Sequence, residues 1–177
     1  MIKHWHDIDL GDKIPEEINA YVEIQKGSTT KYEIDKDHWI LKVDRFMHSS
    51  VHYPGDYGFI PKTISGDNDA VDVIIYTNRV VLPGSIASVR PVGVMKMIDN
   101  GEKDDKIVCV YTKDPVTDHI KDLNGIPPHI VLEIKNFFET YKILENKKVQ
   151  ITAVLGKKEA YNLILEGLKN YKKKFKG

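Results

Sequence analysis

Ser85–Ile98 reads SIASVRPVGVMKMI, fourteen residues in which β-branched and other apolar side chains recur too densely for a surface segment. Helical periodicity is absent, and Pro91 and Gly93 interrupt the run near its middle. The reading is therefore one long strand bent at Pro91 and Gly93, positions where strands break pairing or turn a corner. It leads through Asp99–Asp105, DNGEKDD, into Lys106–Tyr111, KIVCVY, which reads as its return partner. Upstream, Ala20–Gln25 (AYVEIQ) alternates, and Val71–Thr77 (VDVIIYT) is a β-branched run. Lys31–Asp35 (KYEID) and His38–Phe46 (HWILKVDRF) flank a turn-like Asp35-Lys36-Asp37, which predicts a hairpin. Val51–Pro61, VHYPGDYGFIP, is rich in Gly, Pro and Tyr and reads as an ordered loop. Helices come late. Apolar Ile130, Ile134, Phe137, Tyr141 and Leu144 lie on one helical face, with Pro127 and Pro128 suited to its first turn. A strand over Lys148–Gly156 and a terminal helix over Lys157–Lys174 complete the chain. The expected fold class is mainly β with flanking helices (α+β): a small closed OB-like antiparallel β-barrel with two late α-helices, one domain over residues 1–177.

The chain has 177 residues, with 26 basic and 26 acidic side chains, and so no net charge. That balance argues against a general nucleic-acid or anionic-membrane binder, which carries a basic excess. The basic end, YKKKFKG, reads as a solvated helix terminus. A single cysteine, Cys109, excludes an intrachain disulfide. No segment has the length and apolarity of a membrane span, and the N-terminus lacks a signal-peptide apolar stretch, so a cytoplasmic protein is expected.

Chemistry enters with Ser65–Tyr76, SGDNDAVDVIIY, where Asp67, Asp69 and Asp72 crowd the mouth of a strand. In extended chain Asp67 and Asp69 share a face and Asp72 does not, so the three converge only if the backbone turns between them. Convergent carboxylates oppose one another's ionisation unless a positive charge lies between them, and a hard divalent cation is the usual solution. A solvated acidic turn is the plainer alternative. An EF-hand loop counted from Asp67 fails, because its glycine falls on Asp72 and its closing glutamate on Asn78. A second acidic group, Asp99, Glu102, Asp104 and Asp105 with Lys106, comes to the same sheet rim if its flanking strands pair. Arg45 shares parity with Leu41 and Val43. If theirs is the core face, Arg45 needs an anionic partner, either a carboxylate or a bound phosphate. Tyr141 lies on the apolar stripe, with Lys142 beside it. His48 and His52 lack the glutamate of a zinc protease helix, and His4 and His6 read as exposed. No phosphate-binding P-loop or nucleophile elbow occurs.

In this order, KYEID, VDRF, YPGDYGFIP, GDNDAVDV, RPVGVMKMID, DDKIV, DHIKDL and FFETYK resemble the soluble family I inorganic pyrophosphatases, over about Tyr21 to Leu144. The N-terminal HDIDLG fits too, and Ala70 departs from the Pro or Glu usual after the second aspartate. The resemblance implies an OB-like barrel and Mg²⁺-dependent hydrolysis of pyrophosphate to two phosphates, with several metal ions per site and Mn²⁺ also suited. It implies that Asp67, Asp72 and Asp104 hold one metal, that Asp72 bridges to a second, and that Asp99 and Asp104 serve another brought with substrate. Asp69 matches the general base. Lys31, Arg45, Tyr57, Lys106, Tyr141 and Lys142 match pyrophosphate-contacting positions, and Glu23, Glu33 and Tyr53 match supporting ones. A homo-oligomer, hexamer rather than dimer, is expected from the length. The competing readings are an OB-type single-strand nucleic-acid module, which needs exposed aromatics among basic residues, and an enzyme acting on a nucleotide diphosphate.

Overall fold

A computed structural model describes residues 5–35 and 38–175. His4 and the 36–37 turn lie outside the described residues. The strands are β1 (Ile18–Ile24), β2 (Thr30–Asp35), β3 (Ile40–Phe46), β4 (Asp56–Ile60), β5 (Val71–Tyr76), β6 (Ile86–Asp99), β7 (Glu102–Lys103), β8 (Lys106–Tyr111) and β9 (Val149–Gly156). The helices are α1 (Pro128–Thr140) and α2 (Lys157–Phe175). Pro127 caps α1 and Pro128 opens it, where a missing N–H costs nothing.

The long strand closes the sheet. One end of β6, Ile86–Val89, pairs with β1; its middle pairs with β8; and its far half pairs with β9. With β1–β4, β4–β5 and β5–β8 also paired, β1, β4, β5, β8 and β6 form a ring. The register shifts between Pro91 and Gly93, so the bend is a bulge, as the sequence suggested. The barrel is not wholly antiparallel: β5 and β8 run parallel, Asp72 opposite Lys106. Their continuous apolar runs fit a pair covered on both faces. Val71, Val73 and Ile75 meet Ile107 and Cys109 under Ala160 and Ile164 of α2, while Ile74, Val108 and Val110 pack with Phe137 and Phe138 of α1.

Three other expectations change. Val51–Pro61 is not all loop, because Asp56–Ile60 is the fully buried strand β4. A Cβ on Gly58 would lie 1.9 Å from the Tyr21 carbonyl, so glycine there permits close strand approach rather than marking a loop. β1 does not alternate; it is buried on both faces except at Asn19. Leu144 falls off the helical stripe, 61% exposed, because α1 gives way to a 3₁₀ turn, Ile143–Glu145.

The β2–β3 hairpin forms a separate two-stranded sheet. Val43 is 50% exposed, whereas Leu41 on the same face packs against buried Ile34, so only part of that face is core. His6 is half-buried rather than exposed, its ring against Trp5, Tyr171 and Phe175. Among the described residues no helix is long and apolar enough to cross a membrane.

Candidate active site

The register puts Tyr57, Asp72 and Lys106 on one face of three adjacent strands, β4, β5 and β8, at one end of the ring. The turn that brings Asp67 and Asp69 there is built from backbone. Ser65 N–H donates to the Asp69 carbonyl at 2.7 Å, and Asn68 takes φ of 68°, a left-handed position Asn tolerates. Asp67 Oδ1 accepts from Asp69 N–H at 3.0 Å, and Asp69 Oδ1 from Ala70 N–H at 2.8 Å. The parity conflict between Asp69 and Asp72 is resolved by this turn. β6 brings Asp99, the segment after β7 brings Asp104, and the end of α1 brings Tyr141 and Lys142.

The hairpin contributes Lys31 and Arg45, which lie directly opposite each other. Like charges so placed repel. Pairing shifts from Lys31–Arg45 to Tyr32–Val43, leaving Asp44 as the extra residue of a bulge. Asp44 reaches both cations, 3.2 Å from Lys31 and 3.1 Å from Arg45. Arg45 thus has carboxylate partners, Asp44 and also Glu145 at 3.4 Å.

Together these elements enclose a cavity of about 580 Å³ lined by all fourteen residues singled out above: Glu23, Lys31, Glu33, Arg45, Tyr53, Tyr57, Asp67, Asp69, Asp72, Asp99, Asp104, Lys106, Tyr141 and Lys142. Nine carboxylates face six ammonium or guanidinium groups along its wall. Four of the acids have a lysine beside them. Lys106 Nζ donates to Asp72 at 2.5 Å and also to Asp104; Lys142 pairs with Asp99, and Lys31 with Glu33. Tyr57 donates to the same Asp72 oxygen at 2.6 Å. Among the described residues no three His, Cys, Asp or Glu side chains gather into a ready-made metal cage, because lysines stand between the acids.

Burial sets the titration behaviour. Burial favours neutral Lys106, but Asp72 and Asp104 outweigh it and hold the ammonium well charged. Burial raises the Asp104 carboxyl despite Lys106, and Asp72 adds to the rise. Glu23 is pushed up to about 8 by burial, with Asp72 and Glu33 adding to it; its carboxylate accepts from Ile34 N–H at 2.8 Å. Burial lowers Lys142 despite Asp99. Tyr57 and Tyr141 are held as phenols, first by burial and then by neighbouring carboxylates.

A family profile described as inorganic pyrophosphatase matches residues 20–172. The chain belongs to the inorganic pyrophosphatase family. It is 48% identical over 160 residues to a soluble inorganic pyrophosphatase of Solanum tuberosum, covering 90% of this chain and 76% of that protein. A Zea mays soluble inorganic pyrophosphatase is 49% identical over 151 residues, 85% of this chain and 71% of the relative. The crystal structure of inorganic pyrophosphatase from Thermus thermophilus superposes with a TM-score of 0.92 at 37% identity, covering 96% of this chain and 99% of that one. The Helicobacter pylori inorganic pyrophosphatase superposes with a TM-score of 0.89 at 33% identity, covering 94% and 99%.

Three contacts are not foreseen by the sequence motifs. Asp44 acts through a bulge that strand parity hides, and Glu145 sits in a turn with no periodic signal. Asp105 points away from its neighbour Asp104 to pair with Lys96 at 2.7 Å, and only alternation along the chain hints at that division.

Proposed function

We propose that this chain hydrolyses inorganic pyrophosphate to two phosphates, dependent on Mg²⁺, with Asp69 as general base. It is an inorganic diphosphatase by family. The observation that carries the finer reading is the single cavity in which a net-acidic wall is interleaved with cations. A tetra-anionic substrate suits such a wall only if further positive charge enters with it.

Asp67, Asp72, Asp99 and Asp104 would hold the divalent ions. They fit. All offer hard oxygen donors, Asp99 Oδ1 is buried without a hydrogen bond, and Lys106 already supplies positive charge between Asp72 and Asp104. Mg²⁺ when bound lowers the pKa of a water and offsets phosphate charge; Mn²⁺ suits the same oxygens. Asp69 takes the proton of the attacking water on a carboxylate whose orientation the Ala70 amide fixes. Lys31, Arg45 and Lys142 bind phosphate oxygens, and the guanidinium fork is matched to a phosphate edge. Tyr141, neutral at working pH, donates a hydrogen bond as charge builds on the leaving phosphate, while the Tyr57 hydroxyl, also neutral, holds Asp72 in place. Five aromatic rings line the cavity, and each is at most 7% exposed. None is available to stack a base, which disfavours both a nucleotide substrate and single-stranded nucleic acid.

The test is phosphate release under Mg²⁺ from pyrophosphate and from ATP. Pyrophosphate should be much preferred, and Asp69→Asn should lower turnover about a hundredfold or more while the fold is kept. Equal use of ATP, or unchanged turnover in the variant, would reject the assignment concerned.

A further inference from the structure

We propose that Glu145 is a positioning residue for this reaction, acting through Arg45. The inference rests on the pyrophosphate reading above. Glu145 does not line the cavity; it ends the 3₁₀ turn Ile143–Glu145 that follows α1. Its side chain is 9% exposed, a costly place for a carboxylate with no task. One oxygen, Oε1, lies 3.4 Å from Arg45 Nε, and the other, Oε2, 3.5 Å from Lys147 Nζ.

On its second edge Arg45 donates from Nη1 to Asp44 at 3.1 Å. One guanidinium nitrogen thus hydrogen-bonds a carboxylate of the hairpin bulge, and a second faces, as an ion pair, a carboxylate of the turn after α1. Nη2 makes no hydrogen bond among the described residues. The guanidinium is planar, so holding two nitrogens sets the direction of the third. The hairpin is otherwise a separate two-stranded sheet, and Glu145 ties its cationic end to the body of the protein.

The contact is loose for a hydrogen bond. Arg45 Nε and Glu145 Oε1 are both buried and neither makes a hydrogen bond, so the contact is an ion pair. A pair of that geometry adds little to stability, and its effect is on orientation. Without Glu145 the side chain of Arg45 is free to collapse onto Asp44 and withdraw from substrate.

The experiment is a double-mutant cycle on phosphate release from pyrophosphate with Mg²⁺, using Glu145→Ala, Arg45→Ala and the double variant, with thermal unfolding measured alongside. Glu145→Ala should lower kcat/KM about tenfold in the wild-type background and less than about twofold in the Arg45→Ala background. The same factor in both backgrounds, or no effect in the first, would overturn the proposal, since a merely structural role carries through unchanged. If Glu145→Ala does not fold, Glu145→Gln replaces it in the cycle. It keeps the shape, loses the charge, and should give a loss of about threefold that again disappears without Arg45. Failure of the wild-type chain to release phosphate would overturn the underlying reading. Normal wild-type turnover with an additive cycle would overturn only the role of Glu145.

Discussion

Lys106 is almost wholly buried between Asp72 and Asp104, and that placement shows what the cavity demands: positive charge wherever its carboxylates meet. Glu23 shows the same demand unmet. It is buried beside Asp72 and Glu33, and its carboxyl is pushed up to about 8 from an ordinary 4.5. The folded chain therefore keeps a proton that the unfolded chain has released. The resulting stability is full below about 4.5 and is lost as pH rises through about 8. Glu23→Gln retains an acceptor for the Ile34 amide and removes the titration. In chelator-treated protein the melting temperature of this variant relative to wild type should rise between about pH 5 and pH 9, by roughly 2–4 kcal/mol of stability. A difference independent of pH would contradict the burial account. The spacing of Asp67, Asp69 and Asp72 was legible because carboxylates at that density need a reason. Asp44 and Glu145 were not, because a bulge and a turn, rather than periodicity, aim them at Arg45.

β6 was legible from its length, its β-branched content and the Pro91–Gly93 interruption; β4 was not. Its Tyr-Gly-Phe sequence follows Pro-Gly-Asp and reads locally as a loop, yet at Gly58 the backbone of β1 comes too close to β4 for any side chain. Gly58→Ala should cost at least about 3 kcal/mol, because the new methyl meets backbone at Tyr21 and neither strand can yield without breaking register. For a chain of this length that is a fall in melting temperature of roughly 6–12 °C. A variant as stable as wild type would show that the two strands are not so close. The parallel β5–β8 pair was equally hidden. The expectation of a wholly antiparallel barrel came from counting hairpins, and local sequence does not say that a segment returning from β6 will lie beside β5.

Closing the ring assembles the site. β4, β5 and β8 end together, β6 turns back through β7 beside them, the β2–β3 hairpin covers one side, and the end of α1 covers another. Charges far apart in the sequence become neighbours, as Lys142 and Asp99 do. The barrel follows from local patterns, whereas the pairing of acid with cation depends on three-dimensional register. This architecture concentrates more carboxylates than its own side chains neutralise, and the dependence on added cations proposed above rests on that excess. The most direct test is phosphate release from pyrophosphate by the purified chain, treated with chelator and then supplied with Mg²⁺. Turnover should be absent after chelation and restored by the metal, with the fold unchanged by circular dichroism. Full turnover without any divalent cation, or none with Mg²⁺ from well-folded protein, would contradict it.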